Sequence, residues 1–298
     1  MKRLISIFSC ALMLVSVASC SWFKLDNQEG WDAKVQGKIL DVTTGQPVQS
    51  EQGNYIIVVE KGWDAQANQG WRIKNDGTYR NDLVFAGEYT MNTVSGANFQ
   101  ADPQNFTLKK GENTVDFQVT PFVTIKDAQV TYDSATKKIK ATCKVKANFP
   151  ADKINNIGAV VLCVYPDRFV KRSANKCEND PEAIVSNLDP SVEQTVTLYV
   201  DTQLAANADE FQYERAHYIR IAAIGAHYDI VPEWTEEEWV DWDAFAAAGW
   251  QWDDSFYHPA VFHPTSYAPD GKFNPSGAYN YSIVYKLENG VITEVTDW

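Results

Sequence analysis

The chain has 298 residues, with 26 Lys and Arg against 39 Asp and Glu, for a formal net charge of −13. That balance repels phosphate backbones and excludes nucleic acid as a natural partner, and it excludes an electrostatic grip on anionic lipid as well. A chain of this size is expected to form two domains, each large enough for its own core.

Lys2 and Arg3 are followed by an almost unbroken apolar run from Leu4 to Val17, too short to span a bilayer as a mature helix. The run ends at Val17-Ala18-Ser19-Cys20, which resembles a bacterial lipobox. Residues 1–19 therefore read as a lipoprotein signal peptide. Cys20 is then the lipidation site, and residues 20–30 form a tether. Several acyl chains on one cysteine make anchoring stable. Without residues 1–19 the chain keeps 279 residues, 24 basic against 39 acidic, and a net charge of −15. Asp26, Asn27 and Glu29 resemble the acidic signal that directs such lipoproteins to the cell exterior. The expected location is the outer membrane, lipid-anchored and facing outward.

Three cysteines remain, Cys143, Cys163 and Cys177, with no C-x-x-C spacing of the kind zinc sites use. Cys143 alternates with Ile139, Ala141, Val145 and Ala147 and is expected to point into a core. Cys143 and Cys163 read as small buried hydrophobes in preference to a disulfide. Cys177 lies in a polar stretch and receives no role.

From residue 31 the chain shows short strand signals at close spacing. Val35, Ile39 and Val42 open the first strand, and Thr43-Thr44-Gly45-Gln46-Pro47 turns it. Tyr55–Val59 is a β-branched run. Asn75-Asp76-Gly77 reads as a tight turn between Trp71–Lys74 and Thr78–Leu83. Another strand starts at Ala86-Gly87-Glu88-Tyr89, and Val115, Phe117 and Val119 share one face of a last strand, Asn113–Val119. Short strands without helical periodicity indicate an antiparallel sandwich over residues 31–121.

Three segments carry a resemblance: Val35-x-Gly37-x-Ile39-x-Asp41-x-x-Thr44-Gly45-x-Pro47-Val48, Asp76-Gly77-x-Tyr79, and Ala86-Gly87-x-Tyr89. Together they look like the carboxypeptidase regulatory-like, transthyretin-like domain. Such domains are usually non-catalytic spacers or binding modules, so the resemblance implies no active site.

Pro121 cannot continue a central strand and marks a boundary. Beyond it Val123–Tyr132, Lys137–Asn148, Ile157–Tyr165, Val192–Asp201, Arg215–His227 and Tyr279–Leu287 read as strands, and a turn at Glu288-Asn289-Gly290 leads into Val291–Val295. Residues 122–298 are expected to form an immunoglobulin or fibronectin-like sandwich. The whole is all-β, two consecutive β-sandwich domains. Tyr218-Ile219-Arg220-Ile221-Ala222-Ala223 and Tyr279-Asn280-Tyr281-Ser282-Ile283-Val284 resemble the paired last strands of a lipoprotein family of unknown function that couples these two domain types. Members are typically encoded beside a starch-utilisation-type outer-membrane transporter and its glycan-binding lipoprotein. The resemblance implies these as partners.

One segment departs from that pattern, an insertion at about 228–278. Connections of such length are often functional. Trp234, Trp239, Trp242, Trp250 and Trp252, half of the ten tryptophans, fall within nineteen positions, and no Lys or Arg separates Asp229 from Lys272. Thr235 and Glu238 have the spacing of a capping box, and Trp234 and Trp239 that of a hydrophobic staple. These predict a helix over about 236–248 closed by Gly249. Packing of that helix accounts for Trp239, Trp242 and Phe245 without a ligand. Trp250, Trp252 and Tyr257 lie past it, where indole faces are suited to the C–H patches of sugars and carboxylates to their hydroxyls. The candidate carbohydrate-binding residues are thus Trp250, Trp252, Tyr257, Trp234, Trp239 and Trp242. Trp63 and Trp71 form a second candidate platform.

No catalytic or metal-binding residue is assigned, and no cofactor is implied. The acids of the insertion read as a solvated face in preference to a glycosidase pair. His258 and His263 are five apart and miss the helical zinc pattern. His217 and His227 sit in strand contexts and read as structural. The expected function is that of a non-catalytic, glycan-binding accessory lipoprotein of a polysaccharide-uptake system. The alternatives are an adaptor for a protein partner of the transporter and, ranked last, a glycoside hydrolase.

Overall fold

The computed structural model describes residues 30–63, 67–99, 101–148, 154–228, 239–240, 242–247, 249, 257–258 and 279–298. Its strands assemble into several sheets around two main cores, an all-β sandwich architecture.

The first core is enclosed by β1 (Ala33–Asp41), β2 (Tyr55–Glu60), β3 (Asn68–Arg72), β4 (Thr78–Val84), β5 (Gly87–Val94), β6 (Gln104–Leu108), β7 (Gly111–Thr114) and β8 (Phe117–Val119). One sheet has the order β3-β2-β5-β6, and in the other β1 lies between β4 and the pair β7 and β8. Inward positions alternate along the strands, so Val35, Ile39, Ile56, Val58, Tyr79, Tyr89, Met91 and Phe117 meet in one cluster. The Asn75-Asp76-Gly77 turn is present, with Asp76 Oδ1 accepting from Thr78 N at 3.0 Å, but it carries the chain from one sheet to the other.

The last strand of this unit departs from expectation. Asn113–Val119 is two short strands, and both pair with β1 in parallel. At the break the Asp116 carboxylate, in place of a backbone carbonyl, accepts from Lys38 N at 2.8 Å. The Val115 carbonyl accepts from the Tyr79 hydroxyl at 2.6 Å. Gly37 faces that same carbonyl, and a Cβ there would run into it.

The second unit comprises β9 (Val123–Asp133), β10 (Lys138–Ala147), β11 (Ile154–Tyr165), β12 (Ile184–Leu188), β13 (Gln194–Asp201), β14 (His217–Tyr228), β17 (Asn280–Tyr281), β18 (Tyr285–Glu288) and β19 (Val291–Glu294). One sheet runs β13-β10-β9 and the other β12-β11-β14-β18-β19, with β17 also on β14. The core between them takes Ile139, Ala141, Cys143 and Val145 from β10, and Val160, Leu162, Ile219 and Ile221 from the facing sheet. That second sheet is buried on its other face too, where Ala159, Val161, Cys163, Ala222, Tyr279 and Tyr281 gather. Cys143 and Cys163 therefore sit in different clusters and remain thiols, and burial pushes both up to about 12. Cys177, read as part of a polar stretch, is buried in the main core.

Two further differences concern strand boundaries. Tyr279–Leu287 is interrupted because Ser282 takes over the pairing with β14, its Oγ accepting from Ile221 N at 3.0 Å. Strands β6 and β12 had no clear periodic signal in the sequence. Among the described residues helix is confined to short pieces, such as α1 (Ala208–Phe211) and α2 (Trp242–Ala247).

Within the insertion, β15 (Trp239–Val240) pairs antiparallel with β16 (Tyr257–His258). Of the helix expected over 236–248, 242–247 is helical as α2 and 239–240 is strand, while 236–238, 241 and 248 lie outside the described residues. Trp and Val suit a strand, and the ribbon occupies backbone that a longer helix would need. Its close at Gly249 is as expected, with φ +73° and Gly249 N donating to Ala246 O at 3.1 Å. The capping box, Thr235 and Glu238, lies outside the described residues.

Candidate functional site

The two sandwiches meet over a polar joint. Asn280, in the first residues after the insertion, bridges them: its Nδ2 donates to Ala97 O at 2.8 Å, and its Oδ1 accepts from Val123 N at 2.8 Å. Single bridges pair Gln49 with Tyr281 and Asn98 with Pro121. Asp41 closes its own turn by accepting from Thr43 N at 2.7 Å, and its other oxygen accepts from Thr124 Oγ1 at 3.2 Å. One carboxylate thus couples a turn of the first unit to the first strand of the second.

Arg220 is the most unusual residue of the joint. It is 0% exposed, and a fully buried cation needs compensating partners. Its Nε donates to Ser282 O at 2.8 Å and its Nη2 to Asn75 O at 3.2 Å, so it reaches from the second unit into the first. The guanidinium lies 4.4 Å from the Tyr281 ring centroid, in cation–π range. The Tyr281 hydroxyl donates to Glu51 Oε2 at 3.0 Å, which brings a carboxylate of the first unit close to that charge. Desolvation lowers the Arg220 pKa to about 10, so the group stays charged at neutral pH. Nη1 of Arg220 and Nε of Arg172 are buried without a hydrogen-bond partner among the described residues.

Beside this joint opens a cleft of about 550 Å³, within the range of small-molecule sites. The first unit contributes Asp41, Thr44, Gln46 and Gln49, and the second contributes Thr124, Lys126, Asp127, Asn280, Ser282 and Glu294. Pro47, Val48, Ile125, Ile283 and Tyr285 add apolar lining. Asp127 holds φ +50° where β9 bulges against β10, and its carboxylate accepts from Lys144 Nζ at 2.7 Å. The lining thus combines hydrogen-bond donors, acceptors and apolar surface.

The chain returns from the insertion into this joint at Asn280. Tyr228, the last residue of β14, pairs with Ile154, and Asn280 after the return pairs with Ala223. Trp239 and Tyr257 fall on the β15–β16 ribbon, and Trp242 opens α2. Trp234, Trp250 and Trp252 lie outside the described residues. In the first unit the suggested platform divides. Trp63 is 46% exposed, with its ring 6.5 Å from that of Phe85. Trp71 is 2% exposed and packs against Tyr79, Tyr89 and Phe106, so its faces are already covered. Trp71 is a core residue because its strand position points inward opposite Ile56.

Sequence reasoning passed over the polar joint itself. A signal existed in β14, where Tyr218, Arg220 and Ala222 alternate with Ile219, Ile221 and Ala223. A strand apolar on both faces is buried on both, so a lone arginine there must be held by partners. Among the described residues no group of three or more His, Cys, Asp and Glu is placed to hold a metal ion.

Residues 33–120 match the family described as the N-terminal domain of a protein of unknown function, DUF3823. Among solved structures, one similar chain from Bacteroides uniformis is described as a "putative carbohydrate binding protein". It is 23% identical over 89% of this chain and 100% of its own, with a TM-score of 0.56. A DUF3823 family protein from Parabacteroides merdae is 20% identical over 66% of this chain and 92% of its own, with a TM-score of 0.54. Another from Bacteroides ovatus is 16% identical over 67% and 97%, with a TM-score of 0.51. At these identities the likeness establishes a shared fold and no more. No curated protein matches the chain.

Proposed function

We propose that this chain is a non-catalytic, glycan-binding accessory lipoprotein, tethered through Cys20 to the outer membrane and working beside a polysaccharide transporter of the starch-utilisation type. The observation that carries the reading is where the chain returns from the Trp-rich insertion: Asn280 bridges the two sandwiches and lines a 550 Å³ cleft together with side-chain amides, hydroxyls and carboxylates. Sugars are held by such hydrogen-bonding groups together with a flat apolar surface, and tryptophan supplies that surface at high contact energy. The neighbour described as a "putative carbohydrate binding protein", whose whole length is covered by the likeness, supports the same direction. No catalytic family is indicated among the relatives.

In this reading the first sandwich lifts the second away from the lipid, and Trp250, Trp252 and Tyr257 present their rings to an oligosaccharide. A glycan array with the mature chain, followed by calorimetry of the retained sugar, tests it. Trp250→Ala and Trp252→Ala are expected to weaken binding at least tenfold, since stacked rings dominate such contacts. Unchanged affinity in both variants removes the insertion from the site, and an array without any retained sugar removes the function.

A further inference from the structure

A second cleft opens at the opposite end of the second sandwich. Strand β9 leaves the joint at Val123 and reaches the far end at Asp133, a run of roughly 35 Å at about 3.3 Å per residue. The β9–β10 turn at Lys137, the end of β13, the start of β14 and the β18–β19 turn at Asn289 all converge there. Between them lies a cavity of about 400 Å³, which suits one or two sugar rings.

Its polar side is built by a buried carboxylate. Glu210, at 2% exposure, projects from α1 and uses both oxygens: Oε1 lies 2.8 Å from His217 Nδ1, and Oε2 accepts from Arg215 Nη2 at 3.0 Å. Arg215 Nη2 also lies 3.3 Å from the Glu210 carbonyl oxygen. Glu210 thereby fixes the orientation of both cleft-lining side chains, as an outer carboxylate orients a working histidine elsewhere. Phe211 packs against the His217 ring at 4.7 Å and holds it further.

The consequence is a matched donor and acceptor facing the cleft. A carboxylate on Nδ1 favours the tautomer that carries the ring proton there, in which Nε2 is an acceptor. Nε and Nη1 of Arg215 are donors with no hydrogen-bond partner among the described residues. At the rim Tyr213 is 60% exposed, its ring 5.7 Å from the Arg215 guanidinium. A hydroxyl group both donates and accepts, so vicinal hydroxyls satisfy this pair, while the tyrosine offers an apolar face.

We infer that this distal cleft is a second carbohydrate site, taking a neutral sugar through vicinal hydroxyls set between His217 and Arg215 and stacked on Tyr213. The inference rests on the glycan-binding reading above but concerns a location about the length of β9 away from the joint. A protein with one site at its joint and another at its tip grips a polymer at two separated points, which raises overall avidity.

The test uses the mature chain and short neutral oligosaccharides retained on the array, one carrying a diazirine at its non-reducing end. Crosslinked peptides are mapped by mass spectrometry, and binding is measured by calorimetry for Tyr213→Ala and His217→Gln. The expected result is labelling within residues 203–217, with at least a tenfold affinity loss at that site in both variants. Tyr213 is exposed, so its alanine variant folds even where the histidine variant does not. Labelling confined to 229–278, with Tyr213→Ala binding like the parent, overturns the distal site and leaves the joint reading standing. Absence of binding to every sugar overturns both.

Discussion

Arg220 shows how one residue can hold two domains in register. Burying a guanidinium is unfavourable unless its donors are used, and here Nε and Nη2 reach carbonyls from both units, Ser282 and Asn75, while Nη1 has no partner among the described residues. Replacing it with methionine keeps the bulk but strands two buried acceptors, so Arg220→Met is expected to cost about 2–4 kcal/mol, the value of hydrogen bonds from a charged donor left unmade. Urea denaturation followed by fluorescence measures this, and a loss below 1 kcal/mol would show the contact to be incidental. Its position was visible in the sequence as a charged residue inside an apolar strand. Its partners were not, because Asn75 and Ser282 are 145 and 62 residues away and no local pattern encodes such distances. The same holds for Glu210 and His217: the histidine read as an ordinary strand residue because the carboxylate that orients it comes from a separate one-turn helix.

At the level of elements, alternation was the most legible property. Lys138–Ala147 reads directly as a strand with one wet face, and its five apolar residues are all buried. Pairing direction was not legible. β7 and β8 run parallel to β1, and nothing in a four-residue run distinguishes parallel from antiparallel partners. The motif around Gly37 is explained by that arrangement, since the Val115 carbonyl lies where a side chain would start. Gly37→Ala must push β1 away from the chain between β7 and β8, at an expected cost of about 1–3 kcal/mol, typical of overpacking. Thermal melting of this variant against Gly87→Ala, where an added Cβ meets open space, isolates the clash. Equal melting temperatures would contradict it. In the insertion, helix signals and strand-favouring residues overlapped, and the short ribbon at Trp239 won part of the segment.

At the scale of the molecule, the polar joint ties the two sandwiches together, with one cleft at their junction and the second cavity at the other end of β9. Composition and strand spacing anticipated the two all-β units, because a period of two and frequent turns admit few other architectures. Neither cavity was legible, since each is assembled from loops distant in sequence. A net charge of −13 favours neutral ligands over anionic polymers. The central claim is that this molecule holds polysaccharide, and affinity electrophoresis of the chain through gels containing individual neutral polysaccharides tests it most directly. The account predicts clear retardation by at least one polymer, reduced in the Trp250→Ala, Trp252→Ala and Tyr213→Ala variants. Mobility unchanged in every gel would contradict it.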